Sequence, residues 1–481
     1  MYRLNFHKKN IVSIAVLTFL ACNILPQKVL ADVLTNKRPS FLFILADDCT
    51  FRDIGCYGGQ AHTPNIDRLA KEGMRFTHSF QAAPMCSPTR HNIYTGLYPV
   101  KSGAYPNHTF AKAGTKSIVH YLKPLGYRVA LSGKRHIAPR EVFPFEYLPG
   151  SKNPNMKAVD EFVASAKSED KPFCLFACSN EPHGPHDKGD PSRYDADKLK
   201  LPPYWVDTPE TRTGYTKYLA EITYLDGQVR DLLAILKKHK LSDNTIVIFT
   251  SEQGDGLPFA KWTCYDSGLQ NALVARWPGK IKAGSTSNAM IEYVDVVPTF
   301  VDAAGGKPSP VLEGKSYLGV LLGKTDKHKE YVYGLHTTRG INSGSEYFGI
   351  RQIRSRQFKY IVNLTPDVKF QNTIVANSGI YASWKDKAKT DPDAADKIRR
   401  YENRPEEELY DVIKDKYEWN NLAGDPKYAD VKSKLREKLY AWMAQQGDKG
   451  QETEMEAFEH QGSHVNKNKN KNSRGKKNKK Q

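Results

Sequence analysis

The chain has 481 residues, with 71 Lys+Arg against 53 Asp+Glu and a formal net charge of +18. At roughly 100–200 residues per domain, that length suggests two or three domains. With 26% charged and 39% hydrophobic residues, the composition fits a soluble globular enzyme and excludes a fibrous chain, a disulfide-dense miniprotein and a polytopic membrane protein.

Arg3, Lys8 and Lys9 precede an apolar run from Ile11 to Ala21, the order of a secretory signal. The run is too short for a bilayer core, which needs about 20 apolar residues. Val29-Leu30-Ala31 reads as the cleavage site, giving a signal over residues 1–31. Phe19-Leu20-Ala21-Cys22 is the alternative, a lipoprotein box that would put a lipid anchor at Cys22. No transmembrane anchor is expected. The protein is read as exported, to the periplasm first, with secretion or a surface lipoprotein as alternatives.

From Asp32 onward, short apolar runs end at polar residues. Phe41 to Leu45 runs into Asp47-Asp48, Arg128 to Leu131 into Gly133-Lys134, and Thr245 to Phe249 into Ser251-Glu252; Phe173 to Ala177 is a fourth such run. Helical patterns lie between them. Thr63-Pro64 opens one that continues to Glu72. Tyr215 to Lys238 spaces Tyr218, Leu219, Ile222, Leu225, Val229, Leu232 and Leu236 at intervals of three and four. Alternating strands and helices predict an α/β domain over residues 32–340, built on a sheet covered on both faces. Ligands of such sheets sit beyond the carboxyl ends of the strands. Asp47, Asp48, Lys134 and Glu252 therefore converge by fold logic.

Residues 341–448 read as a smaller α+β domain with short strands (Tyr347 to Ile350, Lys359 to Asn363) and a last helix from Val431 to Met443. The boundary falls near Gly340 to Gly344. Residues 449–481 are rich in Lys, Asn, Gly and Ser and predict a disordered basic tail. That tail reads as a solvated spacer, with an electrostatic tether to a polyanion as the other reading.

Charge and cysteine narrow the function. The tail from His464 carries eight basic residues and no acid, and the first 31 residues carry four more, leaving +6 of the +18 on the body. A nucleic-acid partner is not expected from charge held mostly in two appendages. The seven cysteines (Cys22, Cys49, Cys56, Cys86, Cys174, Cys178, Cys264) fit neither a disulfide framework nor a tetrahedral zinc site.

The most informative segment is Cys86-Ser87-Pro88-Thr89-Arg90, followed by Thr95-Gly96-Leu97-Tyr98-Pro99. Cys-x-Pro-x-Arg in this context resembles the signature of type I sulfatases of the alkaline phosphatase-like superfamily. Asp47-Asp48, Gly133-Lys134-Arg135-His136, Pro182-His183-Gly184-Pro185, Phe249-Thr250-Ser251 with Glu252-Gln253-Gly254, Ala275-Arg276-Trp277-Pro278-Gly279 and Glu408-Leu409-Tyr410-Asp411 continue the resemblance in order, from about Arg38 to Met443. It implies a large mixed sheet flanked by helices, plus a smaller C-terminal α+β domain.

The resemblance also implies a chemistry. Cys86 would be oxidised to formylglycine (3-oxoalanine) by a formylglycine-generating enzyme or a radical maturase. One hydroxyl of the aldehyde hydrate attacks sulfur, and the other later expels sulfate, which splits one hard step into two. Asp47, Asp48, residue 86, Glu252 and Gln253 would hold one calcium ion that helps the hydroxyl ionise. Arg90 and Lys134 would hold the hydrate and the sulfate oxygens. His136 would be the base for collapse of the intermediate, and His183 or Lys261 would protonate the leaving oxygen.

Glu252-Gln253 departs from the family's usual Asp followed by Asn or His. It keeps oxygen donors but lengthens both arms by a methylene. Taken singly, Cys86, His136, His183 and Asp47-Asp48 would be ordinary buried or turn residues, and only their joint order lifts them. His186 is placed equally as a site neighbour or a loop residue. Trp262, Tyr57 and Tyr105 are read as packing before sugar contacts.

The spacing from Glu252 to Phe259 resembles the branch that contains heparan N-sulfatases and bacterial enzymes acting on algal polysaccharides. A sulfated polysaccharide or its oligosaccharides is the expected partner, with ulvan first and glycosaminoglycans and carrageenans next. Two rivals stand beside this reading: a phosphodiester or phosphonate monoester hydrolase of the same superfamily, and an inactive polysaccharide-binding homologue.

Overall fold

The structure is a computed structural model and describes residues 38–338 and 348–461. The expected signal, the boundary at Gly340 to Gly344 and the basic residues from Lys467 onward lie outside the described residues.

Nine strands form the large sheet: β1 (Ser40–Ala46), β2 (Met74–Phe80), β3 (Arg128–Gly133), β4 (Glu146–Tyr147), β5 (Phe173–Cys178), β6 (Thr245–Ser251), β7 (Gln270–Arg276), β8 (Ser285–Ser287) and β9 (Ile291–Glu292). Their order is β4-β3-β5-β1-β6-β7-β2-β8, with β9 also on β2. Neighbours from β4 to β6 are parallel, and β7 runs antiparallel to both β6 and β2. The expected mixed α/β sheet is thus present.

β1 shows why both faces are covered. All seven of its residues are buried. Leu42, Ile44 and Ala46 enter one core, while Phe41, Phe43 and Leu45 enter the other. That is the near-continuous apolar run of a parallel strand buried on both faces. Fully burying each of the larger side chains contributes about 1.5–3 kcal/mol.

Five helices of the large sheet matter here: α1 (Pro64–Glu72), α2 (Cys86–Thr95), α3 (Met156–Ser168), α4 (Pro209–Lys238) and α5 (Val296–Ala303). α4 begins before the expected Tyr215. Pro209 occupies its first turn, and the Thr208 side chain accepts a hydrogen bond from Thr211 N. Its apolar stripe, from Tyr215 to Leu236, packs in the core of Leu42 and Ile44, whereas α5 packs Phe300 and Val297 in the opposite core.

A second sheet, antiparallel, joins β10 (Val332–Thr337), β11 (Gly349–Arg354), β12 (Phe358–Asn363) and β13 (Glu407–Asp411). It takes in β10, which lies ahead of the boundary expected from sequence, because β10 pairs along its whole length with β11. The helix α6 (Ala429–Gln446) lays Leu435, Leu439, Trp442 and Met443 over Leu335, Ile353, Tyr360 and Leu409.

The expectation of disorder is corrected for residues 449–461; residues 462–481 lie outside the described residues. Gln451–Met455 and Glu456–His460 are helical. Long-range polar contacts order this weakly apolar segment. Arg351 pairs with Asp448, Tyr105 OH donates to Thr453 O at 2.8 Å, Thr109 Oγ1 donates to His460 O at 2.8 Å, and Gln461 Nε2 donates to Asn107 O at 2.7 Å. Among the described residues, no helix is long and apolar enough to cross a membrane.

Candidate active site

The site is built at the carboxyl edge of the large sheet. β1 delivers Asp47 and Asp48, and β6 delivers Glu252 and Gln253. These two ends are locked together: Glu252 N donates to Ala46 O at 2.8 Å. Lys134 follows β3, and its backbone N donates to Cys178 O at the end of β5. Cys86 is the first residue of α2, whose ten residues are all buried.

Around the Cys86 thiol the polar groups converge. Sγ lies 3.5 Å from Asp47 Oδ1 and 3.9 Å from Asp48 Oδ1. Gln253 Nε2 lies 3.0 Å from it, and Lys261 Nζ 3.2 Å. Lys261, whose sequence context is the loosest of the set, therefore belongs to the centre; its ammonium also pairs with Asp48 at 2.7 Å. Lys134 Nζ donates to Asp47 Oδ2. Arg90 reaches Glu252 Oε1 at 2.8 Å and Asp47 Oδ2 at 3.6 Å, and its Nη1 donates to Lys134 O at 2.8 Å. His183 Nε2 stands 3.7 Å from Asp48 Oδ2, on the more open side.

His136 stands one step back. Its Nε2 faces His108 Nδ1 at 3.0 Å, while its Nδ1 is buried with no partner. The Ser87 hydroxyl donates to His136 O at 3.0 Å, so the residue after Cys86 ties α2 to the His136 loop. Asp48 (φ 53°) and His136 (φ 50°) both adopt the left-handed region. That conformation is uncommon for residues other than glycine and clusters at functional sites. His186 packs its ring against Tyr218 at 5.5 Å. Trp262 and Tyr105 are buried, as the packing reading expects.

Burial sets the electrostatics. It pushes the Cys86 thiol far up, and the neighbouring Asp47 carboxylate pushes the same way. Burial alone would raise Asp47 as well, but Lys134, a hydrogen bond with Glu252, and Arg90 outweigh it and hold Asp47 well below the usual range. Glu252 goes the other way, raised by burial against the pull of Arg90. His136 is driven well below its ordinary value by burial and then by Lys134.

The donor set suits a hard divalent cation. One donor atom each from Asp47, Cys86 and Glu252 lie within 4.8 Å of one another, and Asp48 and Gln253 border the same space. Gln253 gives the clearest test. Its amide nitrogen faces Asp48 Oδ1 at 2.5 Å and the thiol, while its oxygen Oε1 is buried without a partner. A half-turn of that amide offers the oxygen to a cation, the ligand type calcium prefers. The longer Glu252-Gln253 arms thus still reach the centre.

Sequence reasoning missed Asn107, Ser87 and His108. Ser87 is the variable position of the Cys86 motif, and the others sit in a loop whose short polar residues carry no periodic signal. Their only trace was proximity in sequence to that motif.

Known proteins resemble this chain over most of its length. A family profile described as sulfatase matches residues 39–306, and one described as N-sulphoglucosamine sulphohydrolase, C-terminal, matches residues 254–370. The chain is 36% identical over 434 residues to an ulvan-active sulfatase of Formosa agariphila, covering 86% of this chain and 81% of that one. It is 26% identical to the human N-sulphoglucosamine sulphohydrolase, covering 85% of this chain and 91% of that one. A solved structure in complex with its substrate, D-glucosamine-2-N, 6-O-disulfate, matches with a TM-score of 0.66 at 21% identity, covering 86% of this chain and 99% of that one.

Proposed function

The chain belongs to the sulfatase family and is a sulfuric ester hydrolase; from that premise we propose that it removes sulfate from an exported-space polysaccharide, ulvan or its oligosaccharides first. The similarity to an ulvan-active sulfatase across 86% of the chain supports this substrate.

One observation carries the chemistry: Lys261, Gln253, Asp47 and Asp48 all meet the Cys86 thiol within 3.0–3.9 Å. Burial pushes that thiol's pKa up, which argues against a thiolate nucleophile. Formylglycine made from Cys86 by a dedicated maturase would, when hydrated, supply a hydroxyl nucleophile in its place. Asp47, Asp48, Glu252 and Gln253, with residue 86, would hold calcium, which lowers the cost of ionising that hydroxyl.

The chain's own side chains supply the rest. Arg90 is fully buried and bound to Glu252, so it fixes the carboxylate wall behind residue 86. Lys134 and Lys261 neutralise Asp47 and Asp48 and offer charge to sulfate oxygens. His136 keeps Nδ1 without a hydrogen-bond partner, where it can take a proton. His183, about one-third exposed, stands where a leaving sugar oxygen can collect one. The basic-then-apolar N-terminus supports export to the periplasm, with lipidation at Cys22 as the alternative.

The test has two arms. Peptide mass spectrometry of the fragment bearing Cys86 should show a loss of about 18 Da relative to the thiol, a change of oxidation state at that carbon. The protein should hydrolyse 4-nitrophenyl sulfate with a higher kcat/KM than bis-4-nitrophenyl phosphate, and release sulfate from ulvan oligosaccharides in a chromatographic screen. A preference for the phosphate diester would favour the phosphodiesterase rival. Unmodified thiol from a host that carries the maturase would favour the inactive binding homologue.

A further inference from the structure

The loop from Tyr105 to Phe110 reaches the reaction centre from one side and the C-terminal segment from the other. On the reaction side, Asn107 Oδ1 accepts from Ser87 N at 3.5 Å, Thr109 N donates to Ser87 Oγ at 3.3 Å, and the exposed His108 presents Nδ1 to His136 Nε2 at 3.0 Å. The two imidazole rings lie 4.8 Å apart. On the other side, four contacts from residues more than 340 positions away clamp the same loop. Thr453 O receives Tyr105 OH, His460 O receives Thr109 Oγ1, Gln461 Nε2 donates to Asn107 O, and Thr109 bridges Gln461 as an isolated β-pair. The His460 ring adds contact with Tyr105 at 4.9 Å.

We propose that His108 is a positioning residue for His136, and that residues 450–461 are the strap that holds it there. This rests on the sulfatase reading of the site, in which His136 takes a proton. An imidazole has two nitrogens, and the hydrogen bond at one decides what the other can do. If His136 Nε2–H donates to His108 Nδ1, His136 Nδ1 is left as an acceptor. The opposite tautomer would bury an Nδ1–H donor that has no acceptor. Nδ1 is buried and unpartnered, so among the described residues it is the contact with His108 that selects the tautomer. His108 needs help to stay in place: it is exposed and sits in the left-handed region at φ 57°, a backbone that its neighbours must over-determine. The strap supplies that constraint on the residues either side of it.

The test separates positioning from mere structure. In protein labelled with 15N-histidine, His136 should show one tautomer, protonated at Nε2, in the parent chain and a mixture in His108→Ala. In protein with residue 86 converted, His108→Ala should lower kcat on 4-nitrophenyl sulfate at least tenfold with KM unchanged. That floor lies below the about 10²–10⁴-fold a general base contributes, because His136 itself remains. His108→Asn keeps an acceptor and should restore kcat to within threefold. Thr109→Val with Gln461→Ala cuts the strap without removing chain and should mimic His108→Ala in the spectrum. An unchanged His136 tautomer in His108→Ala, or equal kcat for the Ala and Asn variants, overturns the proposal. If the parent chain hydrolyses no sulfate ester, the sulfatase reading fails while the nitrogen spectrum still decides the positioning.

Discussion

Arg90 and Arg351 are both fully buried, and each faces two carboxylates. Arg90 lies 2.8 Å from Glu252 and 3.6 Å from Asp47; Arg351 lies 2.5 Å from Asp448 and 3.8 Å from Glu454. The difference is in what else the carboxylates meet. At Arg351 the carboxylates also meet backbone and a hydroxyl: Gly450 N donates to Asp448 Oδ1 and Thr338 N donates to Glu454 Oε1, both at 3.0 Å, and the Thr337 hydroxyl donates to Glu454. That cluster is closed on itself and staples the C-terminal segment to β11. At Arg90, Asp47 also meets Lys134 and the thiol, and the cluster opens to solvent at Lys134 and His183. A buried arginine between two acids is therefore a fold element or part of a reaction centre, depending on whether its carboxylates have a second, movable set of partners.

The strongest way to break this comparison is to remove each guanidinium while keeping its volume. Either change leaves two buried carboxylates without their cation, which costs about 3–5 kcal/mol of stability. Arg90→Met should in addition lower hydrolysis of 4-nitrophenyl sulfate by about 10²–10³-fold, the cost of losing an oriented charge at the centre. Arg351→Met should match the urea-unfolding loss, yet keep activity within about tenfold, through loosening of the strap alone. Equal activity losses would erase the distinction.

A smaller effect sharpens the same contrast. Calcium should stabilise the chain, by about 2.7 kcal/mol at a hundred times its dissociation constant, read as a rise in Tm. Asp47→Asn should remove that rise, whereas Asp448→Asn should leave it. A calcium-dependent shift that survives Asp47→Asn would exclude the proposed ligand set.

What was legible in the sequence follows from how local the signal is. The four buried strands were found because their apolar runs are continuous, and Asp47-Asp48, Lys134 and Glu252 because a parallel sheet gathers whatever follows its strands. The resemblance in motif order then joined Cys86, Arg90, His136, His183 and Lys261 to them, and all lie at or beside the centre. Two things were hidden. The start of α4 at Pro209 rests on a Thr208 cap and a polar first turn rather than on apolar spacing. The order of residues 449–461 rests on hydrogen bonds to Tyr105, Asn107 and Thr109. No composition or periodicity reports a pairing between such distant positions, so a segment with few apolar residues read as a tail, and His108 had no visible partner.

The smallest expected effect concerns the charge that stood out first. Eight basic residues from Lys467 to Lys480 carry nearly half of the +18, and a polyanionic substrate would feel them only within a Debye length of about 8 Å at 0.15 M salt. The strap ends at Gln461, ahead of them. Deleting residues 462–481 should therefore leave kcat/KM on ulvan oligosaccharides within twofold at 0.15 M salt, while deleting residues 450–481 should lower kcat by tenfold or more through His108 and His136. A large loss from the shorter deletion that high salt abolishes would make the tail an electrostatic tether, and the site's own cations, Lys134 and Lys261, would then hold the sulfate only after the tail had delivered it.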